Sequence, residues 1–197
     1  MVAQGDKESI RARAEASIKK MIRETTVNRL VQNGNLRSKV KIVEVEDQDA
    51  FVYAHWMSII LLSGKHCKLT FSTHFFSDDT RGLVAGGVRR SPDKITFNIQ
   101  EDFFKEFCNA VAGGIKACLE LAKIEIGLSL PLVTRGFDQV NFSDHFNDNS
   151  FRHVWEVDWG RGSVYCAYEL ETDEPECFFD LKSVGEISQK EGEIELL

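Results

Sequence analysis

Residues 102–123 read DFFKEFCNAVAGGIKACLELAK, and the spacing of their polar side chains decides the fold. The positions that are not apolar recur every three or four residues, as on one face of an α-helix. This polar ribbon consists of Asp102, Glu106, Asn109, Gly113, Lys116 and Glu120. Nearly all other positions are apolar, namely Phe103, Phe104, Phe107, Cys108, Val111, Ile115, Cys118, Leu119 and Leu121. The stretch therefore predicts a helix that is buried around most of its circumference.

The N-terminal part of the chain predicts a second long helix. Apolar residues recur at helical spacing over residues 7–31, and Asn33-Gly34-Asn35 predicts where the helix ends. For the helix that carries the ribbon, Asn98 is a plausible N-cap, because Glu101 stands three positions later as in a capping box. Each helix precedes segments that are typical of β-strands.

The strands are predicted in two similar groups. The first group covers 39–46, 51–62 and 66–76, and the second covers 124–133, 151–159 and 163–170. Ser63-Gly64-Lys65 and Gly160-Arg161-Gly162 suit the turns of two β-hairpins. The connector at 77–98 predicts a short helix near 78–85 and a short strand at 95–97.

The order helix, strand, hairpin thus occurs twice, which indicates an internal structural duplication. Each helix and most strands have a single apolar face, so the economical arrangement is two long helices packed on one antiparallel sheet. We therefore predict an α+β fold with pseudo-duplicated helix–strand–hairpin halves. Residues 1–171 form the predicted single domain, and residues 172–197 form an acidic extension with the composition of an appendage or a mobile tail.

Composition narrows the classes of function. The chain has 197 residues, 43% of them hydrophobic, and a formal net charge of -7, which is typical of a globular domain with a real core. Residues 141–197 carry four basic and fourteen acidic side chains, which argues against a nucleic-acid surface there. No apolar run reaches membrane-spanning length, and the charged N-terminus lacks the pattern of a secretory signal, so we expect a cytoplasmic protein with no membrane partner.

Glu106 and Asn109 stand three residues apart, which places a carboxylate beside a neutral amide on the ribbon. Asn is a weak helix former, so its place in mid-helix needs a local reason. Small residues at 110 and 112–114 keep the neighbouring surface low. Two interpretations are open from spacing alone: a solvated helix face with glycines that serve packing, or a surface that another molecule approaches closely.

The pattern resembles a known family. Asp102, Glu106 and Asn109 form the motif DxxxExxN, which precedes a small-residue helix and the segment IGLSLPLV at 126–133. This combination is similar to the signature of the CheC/CheX/FliY family of chemotaxis phosphatases. The duplicated layout is similar too, so the resemblance extends over about residues 7–171, although its specific part is confined to 99–136.

The resemblance implies a phosphatase that hydrolyses the aspartyl phosphate of a response-regulator receiver domain of CheY type. Asn109 would orient the attacking water, and Glu106 would pair with the receiver's active-site lysine. Asp102 and Gly113 would have supporting or docking roles. The resemblance implies no cofactor bound by this chain, since the receiver supplies its own Mg²⁺. A non-catalytic adaptor or sensor that binds a receiver is the alternative.

The first helix departs from the motif. Its Glu24 and Asn28 are four residues apart, which implies a single active site as in CheX-like members. Such members also suggest a homodimer formed through the sheet, and an open antiparallel sheet has edges to cover. The loop at 137–150 and the acidic extension match no part of the family pattern.

Other combinations of reactive residues are weaker. The five histidines lack HxxxH or HExxH spacing, and the loop residues Asp144, His145 and Asp148 lack the EF-hand pattern. The five cysteines are scattered in apolar patterns, so Cys108 is expected to be a buried neutral thiol rather than a nucleophile. Arg81, Arg89 and Arg90 form either a solvated cluster or a contact for an acidic receiver surface.

Overall fold

A computed structural model describes residues 4–37, 39–46, 54–141, 150–179 and 181–182. Most of the predicted loop at 137–150, including His145, and the final residues 183–197 of the acidic extension lie outside these ranges. Within the described ranges, no helix is both long enough and apolar enough to cross a membrane.

Three helices are present: α1 (Gln4–Asn33), α2 (Ser77–Val88) and α3 (Phe97–Leu121). The two long helices α1 and α3 are the predicted ones. The predicted short helix is α2, and it extends to Val88, where Arg89 takes a left-handed conformation (φ 53°) that ends it.

The start of α3 differs from the prediction. Thr96 is the N-cap and Phe97 is the first helical residue, so the predicted strand at 95–97 is wrong, and Asn98 lies inside the first turn rather than at the cap. The predicted capping box does not form because Asn98 is already helical, and the Glu101 carboxylate accepts a hydrogen bond from Lys105 Nζ at 2.5 Å. A short 3-10 turn, Pro92–Lys94, leads into the helix.

Seven strands form one antiparallel sheet in the order β1-β6-β7-β3-β2-β4, and β5 pairs with β2 beyond β4 along the same edge. The strands are β1 (Lys41–Glu44), β2 (Trp56–Gly64), β3 (Cys67–Phe75), β4 (Ile126–Leu128), β5 (Leu132–Arg135), β6 (Ser150–Asp158) and β7 (Ser163–Thr172). The two predicted hairpins are β2–β3 and β6–β7.

The predicted strand at 124–133 is divided into β4 and β5. Between them Ser129 still bonds β2, since its backbone N–H donates to Leu61 O at 2.8 Å and its Oγ accepts from Leu61 N at 3.0 Å. Leu130 and Pro131 follow, and Pro131 has no N–H with which to continue a ladder. Pairing with β2 resumes at Leu132.

The duplication is visible in the topology. The lone strand of the first half, β1, pairs with β6 in the hairpin of the second half. The lone strands of the second half, β4 and β5, pair with β2 in the hairpin of the first half. The hairpins meet at β3 and β7 in the centre. The halves therefore exchange their edge strands about a pseudo-two-fold axis.

The long helices share one face of the sheet. Ser58, Thr73, Cys166 and Trp155 are successive register partners across β2, β3, β7 and β6, so their side chains lie on the same face. Ser58 Oγ donates to the backbone oxygen of Phe104 in α3 at 3.1 Å, while the guanidinium of Arg23 in α1 lies 5.8 Å from the centre of the Trp155 ring. The α3 aromatics complete the packing, with Phe104 stacked on Phe75 at 3.8 Å between ring centres.

The first residues beyond 171 pack against the domain. After β7 ends at Thr172, a 3-10 turn (Pro175–Phe178) contacts α1, and the ring of Phe178 is buried. The backbone N–H of Leu181 donates to Ser17 Oγ in α1 at 3.0 Å. This part of the acidic extension thus carries apolar anchors, whereas the boundary at 171 itself stays a prediction.

Candidate functional site

The polar ribbon of α3 lies at the surface. Asp102, Glu106, Asn109 and Gly113 are all exposed, whereas the apolar residues on both sides of them are buried against the sheet or the neighbouring helices. Leu121 is the exception among the predicted core positions, since it is the last helical residue and 61% exposed. The helix therefore presents its carboxylate–amide pair to solvent along one narrow strip.

Two ion pairs lie on either side of Glu106 and Asn109 but include neither residue. Lys105 pairs with Glu101 at 2.5 Å, and Lys116 pairs with Glu120 at 3.6 Å. Within the described part of the chain, no hydrogen bond or ion pair engages the side chain of Glu106 or Asn109. A free carboxylate and a free amide stand one helical turn apart, available to a visiting molecule.

Gly113 keeps the surface beside this pair low. A Cβ atom placed on Gly113 would meet nothing within 4 Å, so packing does not require glycine here. Glycine in a helix interior costs about 1 kcal/mol relative to alanine. Because helical Cβ atoms tilt toward the N-terminus, a methyl group at 113 would stand over the turn that carries Asn109.

Three glycines bring the helix ends together next to the ribbon. A Cβ on Gly87 would lie 2.2 Å from Asn33 O and 2.7 Å from the Phe103 ring, and one on Gly86 would lie 2.9 Å from Gly34 O. A Cβ on Gly34 would in turn lie 2.2 Å from a methyl group of Leu83. The end of α2 can thus approach α1 and α3 only because these positions lack side chains.

An open groove of about 550 Å³ lies at this junction. Asp102 and Glu106 belong both to the groove and to the ribbon, so the two surfaces are continuous. Arg90 lines the same groove, and the remaining walls come from Asn33, Gly87, Val88, Ile99 and Phe103. Sequence reasoning had singled out Arg90 but missed Val88 and Ile99, because their spacing alone is that of ordinary core residues.

The cysteines and histidines offer no competing reactive centre in the described residues. Burial raises the pKa of Cys108 to about 11, and its Sγ lies 3.6 Å from Ser58 O and 3.7 Å from Thr73 Oγ1, as expected of a neutral thiol that donates a weak hydrogen bond. The interpretation of Cys108 as a core residue is confirmed. No group of three or more His, Cys, Asp or Glu side chains is placed to hold a metal ion among the residues described.

The corresponding region of α1 does not form a second ribbon of the same kind. Glu24 and Asn28 are only half exposed, and Thr25 and Thr26 between them are fully buried, with Thr26 Oγ1 donating to Ile22 O at 2.7 Å. The exposed ExxN pair is found on α3.

No family model matches the sequence, and no curated protein matches it either. Solved structures do match. A CheC-like superfamily protein from Shewanella sp. PV-4 aligns with a TM-score of 0.61 and 19% identity, covering 79% of this chain and 97% of that one. The chemotaxis protein CheX from Vibrio vulnificus gives 0.61 and 16%, with coverages of 78% and 99%.

A third match is the CheX–CheY–BeF3–Mg complex from Borrelia burgdorferi, with a TM-score of 0.58, 11% identity, and coverages of 77% and 96%. The TM-scores, together with coverage of nearly the whole length of each of these proteins, indicate a shared fold. The chain therefore has the fold of the CheC-like and CheX chemotaxis proteins, which confirms at the level of the fold the resemblance to the CheC/CheX/FliY family.

Proposed function

We propose that this protein is a member of the CheC/CheX/FliY family and a phosphatase for the aspartyl phosphate of a CheY-like receiver domain. The observation that carries the proposal is the exposure of Glu106 and Asn109, side by side and without partners among the described residues, on a helix whose apolar side is buried. The fold is that of a CheX solved together with CheY, beryllofluoride and magnesium. Location in the cytoplasm and a role in chemotaxis belong to the same proposal.

The reaction demands little chemistry from the phosphatase. An acyl phosphate is an activated group, and the receiver supplies Mg²⁺ and a lysine to its own phosphoryl oxygens, so what is missing is a water molecule held in line for attack. The Asn109 amide has an acceptor and two donors with which to hold that water. Because the amide is neutral, it adds no negative charge beside the phosphoryl group, where a carboxylate would be repelled.

Glu106 has the complementary role of docking. Its carboxylate lies one turn before Asn109 and has no ion-pair partner in the part of the chain that the structure describes, so it is available to the receiver's lysine. A charge-assisted hydrogen bond of this kind fixes the distance and orientation between the two proteins. Asp102, a further turn away and also exposed, supports docking, and Gly113 allows the close approach.

The test is the decay of a phosphorylated receiver, followed by phosphate release or by fluorescence. We expect the wild-type protein to accelerate decay, Asn109→Ala to reduce the acceleration about 100-fold, and Glu106→Gln to raise the half-saturating concentration. Asn98→Ala and Glu120→Gln are matched controls, because both residues are exposed on the same helix. Acceleration that survives Asn109→Ala would remove Asn109 from the mechanism.

A second candidate is an adaptor that binds a receiver through the same helix without useful hydrolysis. It is favoured by the same exposed pair, since docking needs only Glu106 and its surroundings. Binding of a phosphorylated receiver without acceleration of its decay would select this alternative.

A homodimer is part of the proposal. The described sheet has open edges at β1, where Ile42 and Val43 are partly exposed, and at β4–β5, where Leu130 and Leu132 are exposed. Light scattering after size-exclusion chromatography distinguishes a dimer from the 22.3 kDa monomer.

A further inference from the structure

The groove beside the ribbon differs from it in chemistry. The ribbon offers two carboxylates and an amide, whereas the groove adds an apolar floor from Val88, Ile99 and Phe103 and a cationic side chain, Arg90. Within the described residues no hydrogen bond or ion pair engages the Arg90 guanidinium. By contrast, the guanidinium of Arg81 in α2 donates hydrogen bonds to Asp78 Oδ1 and to Ile95 O, both at 3.3 Å.

The position of Arg90 is fixed by the backbone. The left-handed residue Arg89 turns the chain at the end of α2, and the backbone N–H of Arg90 donates to Ala85 O at 3.0 Å. The glycine contacts with Asn33 and Phe103 hold this end of α2 against α1 and α3. The backbone of Arg90 is therefore held in a fixed position, while its guanidinium has no partner among the described residues.

We propose that this groove is the specificity-determining part of the receiver-binding surface, in which Arg90 pairs with a receiver carboxylate while an adjoining apolar side chain packs on Val88 and Ile99. The inference rests on the proposed function. Two observations support it. The groove is continuous with the ribbon, since Asp102 and Glu106 belong to both, and the positive charge of Arg90 is complementary to a receiver carboxylate. A phosphoaspartate that works with Mg²⁺ lies beside receiver carboxylates, because Mg²⁺ is usually bound through about one or two carboxylates together with phosphate oxygens and water.

Arg90 has particular weight because this chain carries a net charge of -7 and the two ribbon residues that line the groove, Asp102 and Glu106, are both acidic. Approach to an acidic receiver is then opposed by long-range repulsion, which a cation at the contact offsets locally. Different receivers share the phosphorylation chemistry but differ in the residues around it. Recognition by Arg90 and the apolar floor thus selects among receivers, while Asn109 acts on the phosphoryl group that all of them present.

The experiment measures binding and catalysis separately. Each receiver of the same organism is loaded with Mg²⁺ and beryllofluoride, and its affinity for the full-length protein is measured by fluorescence anisotropy. We expect Arg90→Ala to weaken binding of the cognate receiver about threefold and Arg90→Glu about tenfold, and we expect both losses to be largest at low salt, where charges are least screened. In the decay assay the maximal rate stays unchanged and the half-saturating concentration rises.

Lys65→Glu is the matched control, because it reverses an exposed charge near the far end of α3, where Gly64 contacts Glu125. It should leave affinity and rate unchanged. Equal binding by Arg90→Glu and wild type, alongside a catalytic loss in Asn109→Ala, overturns the groove proposal and leaves the phosphatase standing. A loss of maximal rate in Arg90→Glu at unchanged affinity also overturns it. Absence of binding to every receiver overturns both proposals.

Discussion

Replacing Gly113 by alanine should change stability and catalysis in opposite directions. A Cβ at this position meets no atom within 4 Å, and the residue lies inside the long helix α3. Alanine therefore removes the entropic cost of glycine without a clash, a gain of about 1 kcal/mol in the free energy of unfolding. For a chain of this size, that gain corresponds to a rise of about 2–4 °C in melting temperature.

The same methyl group should impair catalysis. It stands over the turn that carries Asn109, where the receiver must come within hydrogen-bonding distance of one attacking water. Displacement of the reacting groups by about 1 Å can lower the rate about 100-fold. We therefore expect the acceleration of receiver decay to fall by about tenfold or more.

Gly82→Ala provides the control. Gly82 lies in α2 away from the groove lining, and a Cβ there also meets nothing within 4 Å, so this variant should gain similar stability and keep full activity. Thermal unfolding and phospho-receiver decay are measured on both variants. A Gly113→Ala protein that is more stable and fully active would refute the argument that this glycine serves close approach. A Gly113→Ala protein that is less stable than wild type would refute the conclusion that there is room for a methyl group at this position.

Three further predictions concern the scaffold. Phe178→Ala should lower the free energy of unfolding by about 3–5 kcal/mol in urea titrations, whereas the exposed Phe137→Ala should change it little; equal effects would contradict the packing of the extension. Gly87→Ala should destabilise by about 1–3 kcal/mol, opposite in sign to Gly113→Ala, because its methyl group would press on Asn33 O. Burial lowers the pKa of His74 to about 3, with Arg152 adding to the effect. Because an unfolded histidine binds a proton below about pH 6.5 and folded His74 does not, His74 should contribute about 1.4 kcal/mol per pH unit to the fall in stability from pH 6.5 toward pH 3, and His74→Leu should remove this contribution.

The sequence predicted the structure best in helices and strands that bury only one face. The spacing of Glu106, Asn109 and Gly113 predicted their shared exposure because helical periodicity alone decides which side of a mostly apolar helix meets water. The hairpin turns were equally local, since the β2–β3 and β6–β7 connections contain residues suited to tight turns. Local pattern thus sufficed for the helix ribbon and for the central strands.

The start of α3 was mispredicted for a local reason: a 3-10 turn leads directly into a helix that begins at Phe97, so Asn98 is already helical and 95–97 is not a strand. Features that depend on distant contacts were not predictable from local pattern at all. The groove depends on glycines from two helices that approach each other in space, and neither Gly34 nor Gly87 carries that information alone. The anchoring of Phe178 on α1 joins segments separated by most of the chain.

The exchanged edge strands have a consequence for the integrity of the molecule. Cut between α2 and α3, the first half would retain β1 without any hydrogen-bonded neighbour and would leave both sides of its hairpin open. The second half would suffer in the same way. A solitary half can satisfy the backbone of these strands only beside another copy that lends it a strand, so each half depends on the other for a closed sheet.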